Sequence, residues 1–187
     1  MDDAFIGLKK VIKGISIVPA FIMMFFPACV YDHTYVYYID AYGKTHSRTS
    51  NSGIGSIYEF IFGSSNAGYI DIDTINFNFV LFFGFLALLV YFVFSIISML
   101  KSLSDYEQNT WKFDLVRTIC CGISTFFLNP IFISLACENF YNNSSYMYDY
   151  KHFSICYFPI VFLFIYLLVH FILNLIFLIK SKRTSCC

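Results

Sequence analysis

Long windows without a formal charge limit this chain more than anything else in it, because an unbroken apolar run of about 20 residues is what a helix needs to cross roughly 30 Å of hydrocarbon. The run from 77 to 100, with "FVLFFGFLALLVYFVFSIISML" as its centre, is the clearest of them. Three others accompany it: "GISIVPAFIMMFFPACVY" (14–31), "TICCGISTFFLNPIFISLAC" (118–137) and the run from 156 to 179. Composition agrees with a lipid-embedded chain: 58% of the residues are hydrophobic and 13% are charged, where a soluble domain carries about 25% charged residues. The chain is expected to form one domain over residues 1–187, an all-α membrane fold with four transmembrane helices. Pro19 and Pro27 in the first span, and Asn129 with Pro130 in the third, predict kinks, since proline removes a backbone donor and clashes with the preceding turn.

Four spans place both termini on one side, and the basic residues choose which. Lys9, Lys10, Lys13, Lys101, Lys112, Arg117, Lys180, Lys182 and Arg183 fall on one side, against Lys44, Arg48 and Lys151 on the other. Both termini are therefore expected in the cytosol, with the plasma membrane as the expected location. The first apolar segment has no small-x-small cleavage pattern, so it is expected to remain as a span. Twelve basic residues balance twelve acidic ones, and no basic field points to nucleic acid.

The loop over 32–73 is too long for a plain connection and should be folded. "HTYVYYIDAY" (33–42), "SIYEFIF" (56–62) and "GYIDIDT" (68–74) are rich in aromatic and β-branched residues and predict strands. "GKTHSRTSNSG" and "GSSNAG" between them predict turns. A small antiparallel sheet on the outer ends of the helices is the expected arrangement, and the second outside loop, 138–155, can add an edge strand at "YMYDYKH".

Cys137 and Cys156 end the third span and begin the fourth, at similar depth on the side expected to be oxidising. A bridge between them is one reading, with Cys29 as a competing partner; small apolar residues at helix ends are the other. Asn142 and Asn143 head overlapping Asn-x-Ser sequons and are glycosylation candidates. Cys186 and Cys187 follow a basic juxtamembrane segment and are lipidation candidates. Asn129, His170 and Asn174 are polar groups inside apolar spans; His170 and Asn174 share a helical face, and a hydrogen bond to Asn129 or to a neighbouring backbone carbonyl would satisfy them. Adjacent Cys120 and Cys121 lack the spacing of a redox pair. His33, His46 and His152 with Asp32, Asp71 and Asp73 match no metal-ligand spacing. No catalytic constellation, metal site or cofactor is expected.

The order of these parts, a kinked span, a roughly 40-residue outside loop with strand patterns, two spans around a short inside loop, a smaller outside loop and a last span with a cysteine-bearing tail, resembles the claudin superfamily. "ENFYNN" after the third span is similar to the acidic-x-Phe-Tyr-Asn sequence of many claudins, with Phe140, Tyr141 and Asn142 in those places. The first outside loop carries neither the Trp, Gly-Leu-Trp sequence nor the paired cysteines of claudins, and "GIGSIYEF" stands nearest to it. The resemblance implies a non-enzymatic four-pass protein that acts in cell adhesion and junctions or as an auxiliary subunit, through homo-oligomers or membrane-protein partners in the bilayer. Two other classes fit the same spans: a small channel or structural subunit of a larger viral or organellar assembly, and a lipid-modifying enzyme using His170, Asn129 and Asn174.

Overall fold

The computed structural model describes residues 18–39, 41–49, 53–67, 72–103, 111–144 and 149–184. Among these residues six helices run in chain order as α1 (Val18–Met24), α2 (Ile57–Phe62), α3 (Phe79–Leu103), α4 (Trp111–Phe127), α5 (Pro130–Ser144) and α6 (Tyr157–Thr184). Six strands accompany them: β1 (Pro27–Ile39), β2 (Thr45–Thr49), β3 (Gly53–Ser56), β4 (Ser64–Ala67), β5 (Ile72–Ile75) and β6 (Asp149–Ile155). Among the described residues three stretches are long and apolar enough to cross a membrane: Phe79–Ser98, Trp111–Asn142 across the α4–α5 break, and Tyr157–Ile179. The described part of the first span is the short α1.

The main sheet is built around β1, and every pairing in it is antiparallel. Cys29 to Tyr31 pair with β3 on one side and with β6 on the other, while Thr34 lies between Thr49 of β2 and Asp149 of β6. Hence β2 and β3 lie end to end along one edge of β1, and β6 covers the opposite edge. The segment 138–155 does supply an edge strand, at Asp149–Ile155; Tyr146 and Tyr148 of the expected strand lie outside the described residues. A separate hairpin pairs β4 with β5.

Several local expectations are corrected. The first span does not run to Tyr31: its helix ends at Met24, the turn at Phe25 and Phe26 is closed by bonds back to Ile22 and Met23, and Pro27 opens β1. Pro27 has no N–H for a continuing helix, whereas strands on both sides pair Cys29 to Tyr31. "SIYEFIF" forms α2 rather than a strand. Ser56 and Glu59 make a capping box, with the Ser56 N–H donating to Glu59 Oε2 at 2.7 Å and the Glu59 N–H to Ser56 Oγ at 3.2 Å. Ile57, Phe60 and Ile61 then fall on one buried helical face. Of the expected turns, "GKTHSRTSNSG" contains β2 and "GSSNAG" contains β4.

The third span starts earlier than its uncharged window, because α4 begins at Trp111 and carries Asp114 and Arg117 into the bundle. Its kink falls where Asn129 and Pro130 predict it. Asn129 caps α5, accepting from the Phe132 N–H at 3.0 Å and donating to Phe126 O at 2.7 Å, and Pro130 sits at the first helical position where no donor is lost. Asn78 caps α3 likewise, accepting at 3.0 Å from Val80 and 3.2 Å from Leu81. A Cβ added to Gly84 of α3 would stand 2.8 Å from the Leu128 side chain, so glycine permits the close approach of α3 to the α4–α5 break.

The helices pack α3 on α4 and α4 on α6. Phe21 of α1 reaches Phe85 and Phe92 of α3 at ring-centroid distances of 5.9 and 5.8 Å, and α1 also contacts α6. Apolar side chains remain on the outside along whole helices: Phe79, Phe83, Leu86, Val90, Val93, Ile96 and Leu100 on α3, and Phe158, Phe162, Ile165, Val169, Ile172 and Ile176 on α6. Such stripes are unfavourable against water and matched to lipid tails.

Candidate functional site

The polar side chains of the spans turn inward and gather at the end of the bundle opposite the main sheet. Tyr91, Ser95 and Ser98 lie at i, i+4 and i+7 on α3, Asp114, Arg117, Thr118 and Cys121 at i, i+3, i+4 and i+7 on α4, and His170 and Asn174 at i, i+4 on α6. All nine are buried. Each set occupies one face of its helix, and the three faces converge.

Arg117 is at the centre, with 1% of its surface exposed. Its Nε donates to Ser95 Oγ at 3.0 Å, its Nη1 lies 3.4 Å from Asp114 Oδ1, and its guanidinium carbon stands 5.4 Å from the centroid of the Tyr91 ring. A buried arginine is tolerable only when its charge and its donors are answered, and here a carboxylate, a hydroxyl and an aromatic face answer them. Ser95 Oγ donates in turn to Tyr91 O at 2.8 Å, and Thr118 Oγ1 to Asp114 O at 2.7 Å. On the α6 side, Asn174 Nδ2 donates to Tyr91 Oη at 3.0 Å and to His170 O at 2.8 Å. The His170 ring rests 4.6 Å from that of Tyr166. Arg117 Nη2, His170 Nδ1 and Ser98 Oγ are buried with no hydrogen-bond partner among the described residues.

His170 and Asn174 are thus brought together as their spacing predicts, with Tyr91 as the partner of Asn174. Asn129 does not join them: it is occupied at the α4–α5 break, about 18 Å along the helix from Arg117 at 1.5 Å per residue, and borders a lipid-side crevice of about 700 Å³ with Gly122, Phe126 and Phe171. Cys121 is buried and donates to Leu167 O at 3.7 Å, a packing role. Arg117, Asp114, Tyr91 and Ser95 escape a reading based on uncharged windows. The spacing of Asp114, Arg117, Thr118 and Cys121, set opposite apolar Ile119, Ile123 and Phe126, is the signal that exposes them, since it gives α4 one polar and one apolar face.

The five described cysteines are free: Cys29, Cys137 and Cys156 toward the sheet, and Cys120 and Cys121 within α4. The expected Cys137–Cys156 bridge is therefore not formed: Cys29 and Cys137 are buried and Cys156 is half-buried, as small apolar residues are where helices meet a strand. Cys156 is taken up in fastening the last span to β1, its N–H donating to Ala28 O at 2.8 Å. Asn142 is exposed in the final turns of α5; Asn143 follows it in the same helix, with its side chain outside the described residues, as are Cys186 and Cys187.

Apolar outer faces, an inward polar cluster and a sheet on one end define a mainly helical protein compatible with integration in a membrane. Compared with known proteins, the chain matches no family model, no curated protein and no solved structure.

Proposed function

We propose that this chain is a non-enzymatic four-span protein of claudin-like layout, with α1 the visible part of the first span, both termini in the cytosol and the main sheet on the opposite side of the plasma membrane. Its work is to present that sheet to another membrane protein, as an adhesion or auxiliary subunit, while the buried polar cluster holds α3, α4 and α6 in register. One observation carries the reading: β6 from the second outside loop pairs with β1 at the exit of the first span, so both loops contribute to one rigid surface fixed to the bundle. Surface strands that are anchored in this way lose little conformational freedom on docking, which favours a protein partner. Ile54 of β3 and Tyr42 in the β1–β2 turn are exposed there, at 60% and 95% of their surface.

A photo-crosslinking residue in place of Ile54, used on intact membranes, tests this. A discrete adduct with a second copy or another membrane protein is the expected product, diminished by removing residues 41–49. Crosslinks to lipid alone would refute the docking role, and a glycan acceptor placed in the Tyr42–Lys44 turn that stays unmodified in a eukaryotic host would refute the sidedness.

A further inference from the structure

The outer side of the α4–α6 contact carries two crevices that neither the polar cluster nor the sheet uses. The first, of about 500 Å³, runs from Leu115 and Leu178 to Phe126 and Phe127. The second, of about 700 Å³, continues from Phe126 to Ile131. They share Gly122, Phe126 and Phe171 and so form one groove. Gly122 is its floor, where α4 comes so near α6 that an added Cβ would stand 2.9 Å from the Phe171 ring. Ile119, Ile123, Phe126 and Leu175 are exposed along its walls. The polar side chains that border it are already engaged: Thr118 Oγ1 donates to Asp114 O and Thr125 Oγ1 to Cys121 O, each at 2.7 Å, and Asn129 is bonded across the α4–α5 break. None of the residues lining it is charged. What the groove offers an occupant is therefore apolar contact.

Charge stands at one end of it. Positions 112, 115, 119, 122 and 126 form one stripe of α4, headed by the exposed Lys112 beside Trp111. On α6 the facing stripe is 164, 168, 171, 175 and 178, and the same spacing brings position 182 next, within the basic sequence of Lys180, Lys182 and Arg183. From Leu115 to Phe127, α4 rises about 18 Å at 1.5 Å per residue, close to the roughly 15 Å that one leaflet contributes to the hydrocarbon core.

We infer that this groove holds one acyl chain of an anionic phospholipid, with the phosphate at Lys112 and the basic end of α6, and the chain running past Gly122 toward Asn129. Basic residues at the membrane face attract anionic headgroups, while a zwitterionic lipid brings its own cation to Lys112. A second copy packed symmetrically on the groove would set two copies of Lys112 at one depth, where like charges repel. The inference needs only that the bundle lies in a bilayer; neither the partner of the sheet nor its sidedness enters.

The test reconstitutes the full chain in vesicles of equal phosphatidylglycerol and phosphatidylcholine with identical acyl chains, extracts it in mild detergent and identifies retained lipid by native mass spectrometry. A monomer with one retained lipid, mainly phosphatidylglycerol, is the expected result. Lys112→Gln should cut that preference about fivefold, the effect of one basic residue near a lipid surface. Ile119→Trp, which fills the groove from its exposed wall, should remove the adduct of either lipid, whereas Val93→Trp on the outer face of α3 should keep it. The inference is overturned by equal retention of the two lipids, by an unchanged preference in Lys112→Gln, by an adduct that survives Ile119→Trp or is lost equally in Val93→Trp, or by a dimer in place of the adduct. Displacement of the lipid by glycerol phosphate would likewise overturn it, since the site would then be one for a free phosphate.

Discussion

Arg117 shows how much can rest on one side chain. Its charge is removed from both water and lipid headgroups, and Asp114 is buried with it at 4% exposure. Truncating one member of such a pair leaves the other charge uncompensated, at a cost of about 3–5 kcal/mol. Arg117→Ala is expected to lower the thermal unfolding midpoint in detergent sharply, and the double variant with Asp114→Ala to be less damaged than the single one; a single variant that melts with the parent would refute the central role of the pair. The bond between Asn174 and Tyr91 is neutral and weaker. Tyr91→Phe and Asn174→Leu should each cost about 1 kcal/mol, and because both remove the same bond, their losses should combine to less than their sum. Additive losses would show that the two residues act separately.

Among the elements, α2 is the one most dependent on its local chemistry. It has six residues, too few for a stable isolated helix, and is held by the Ser56–Glu59 box and by the burial of Ile57, Phe60 and Ile61. Ser56→Ala should cost about 1 kcal/mol, read as faster amide hydrogen exchange across α2 with α3 and α6 unchanged; uniform loss of protection would mean that α2 does not open on its own. Gly63, which ends α2 at φ 78°, has the Ile75 carbonyl oxygen 3.0 Å from where a Cβ would stand. A side chain there meets both an unfavourable backbone conformation and a backbone atom. At Gly84, the crowding comes from another helix. Gly84→Val should overpack the α3 contact with Leu128 and destabilise by about 1–3 kcal/mol, with the midpoint in detergent as the measurement.

At the scale of the molecule, polar and apolar surfaces are inverted relative to a soluble domain. Exposed apolar stripes, matched to lipid, run the length of α3 and α6, while Ser95, Asp114, Arg117, His170 and Asn174 point inward. Cohesion between such helices cannot come from hiding apolar surface from lipid, so close packing at Gly84 and Gly122 and the polar cluster carry it. The sheet adds a second level of cohesion, because β6 and β3 flank the same residues of β1 and draw in the connections that precede α6 and α2. Removing the β6 pairing should therefore affect docking before it affects the bundle. Replacing His152 and Ser154 with proline is expected to abolish crosslinks from position 54 while leaving detergent-solubilised protein monodisperse on gel filtration; crosslinks that persist would separate the partner surface from the sheet.

Apolar length, proline placement and turn residues are local properties, and from them the sequence by itself determined three long apolar stretches, the break at Asn129–Pro130 and the existence of a sheet with an edge strand from residues 138–155. The tertiary structure alone decided what depends on partners. Residues 27–31 leave the first helix because two strands claim their backbone, "SIYEFIF" coils because its apolar face meets α5, and Asp114 and Arg117 enter the bundle because each answers the other's charge. Cys137 and Cys156 stay free for the same reason: similar depth places two thiols at one level, but strand register and helix phase choose whether they meet.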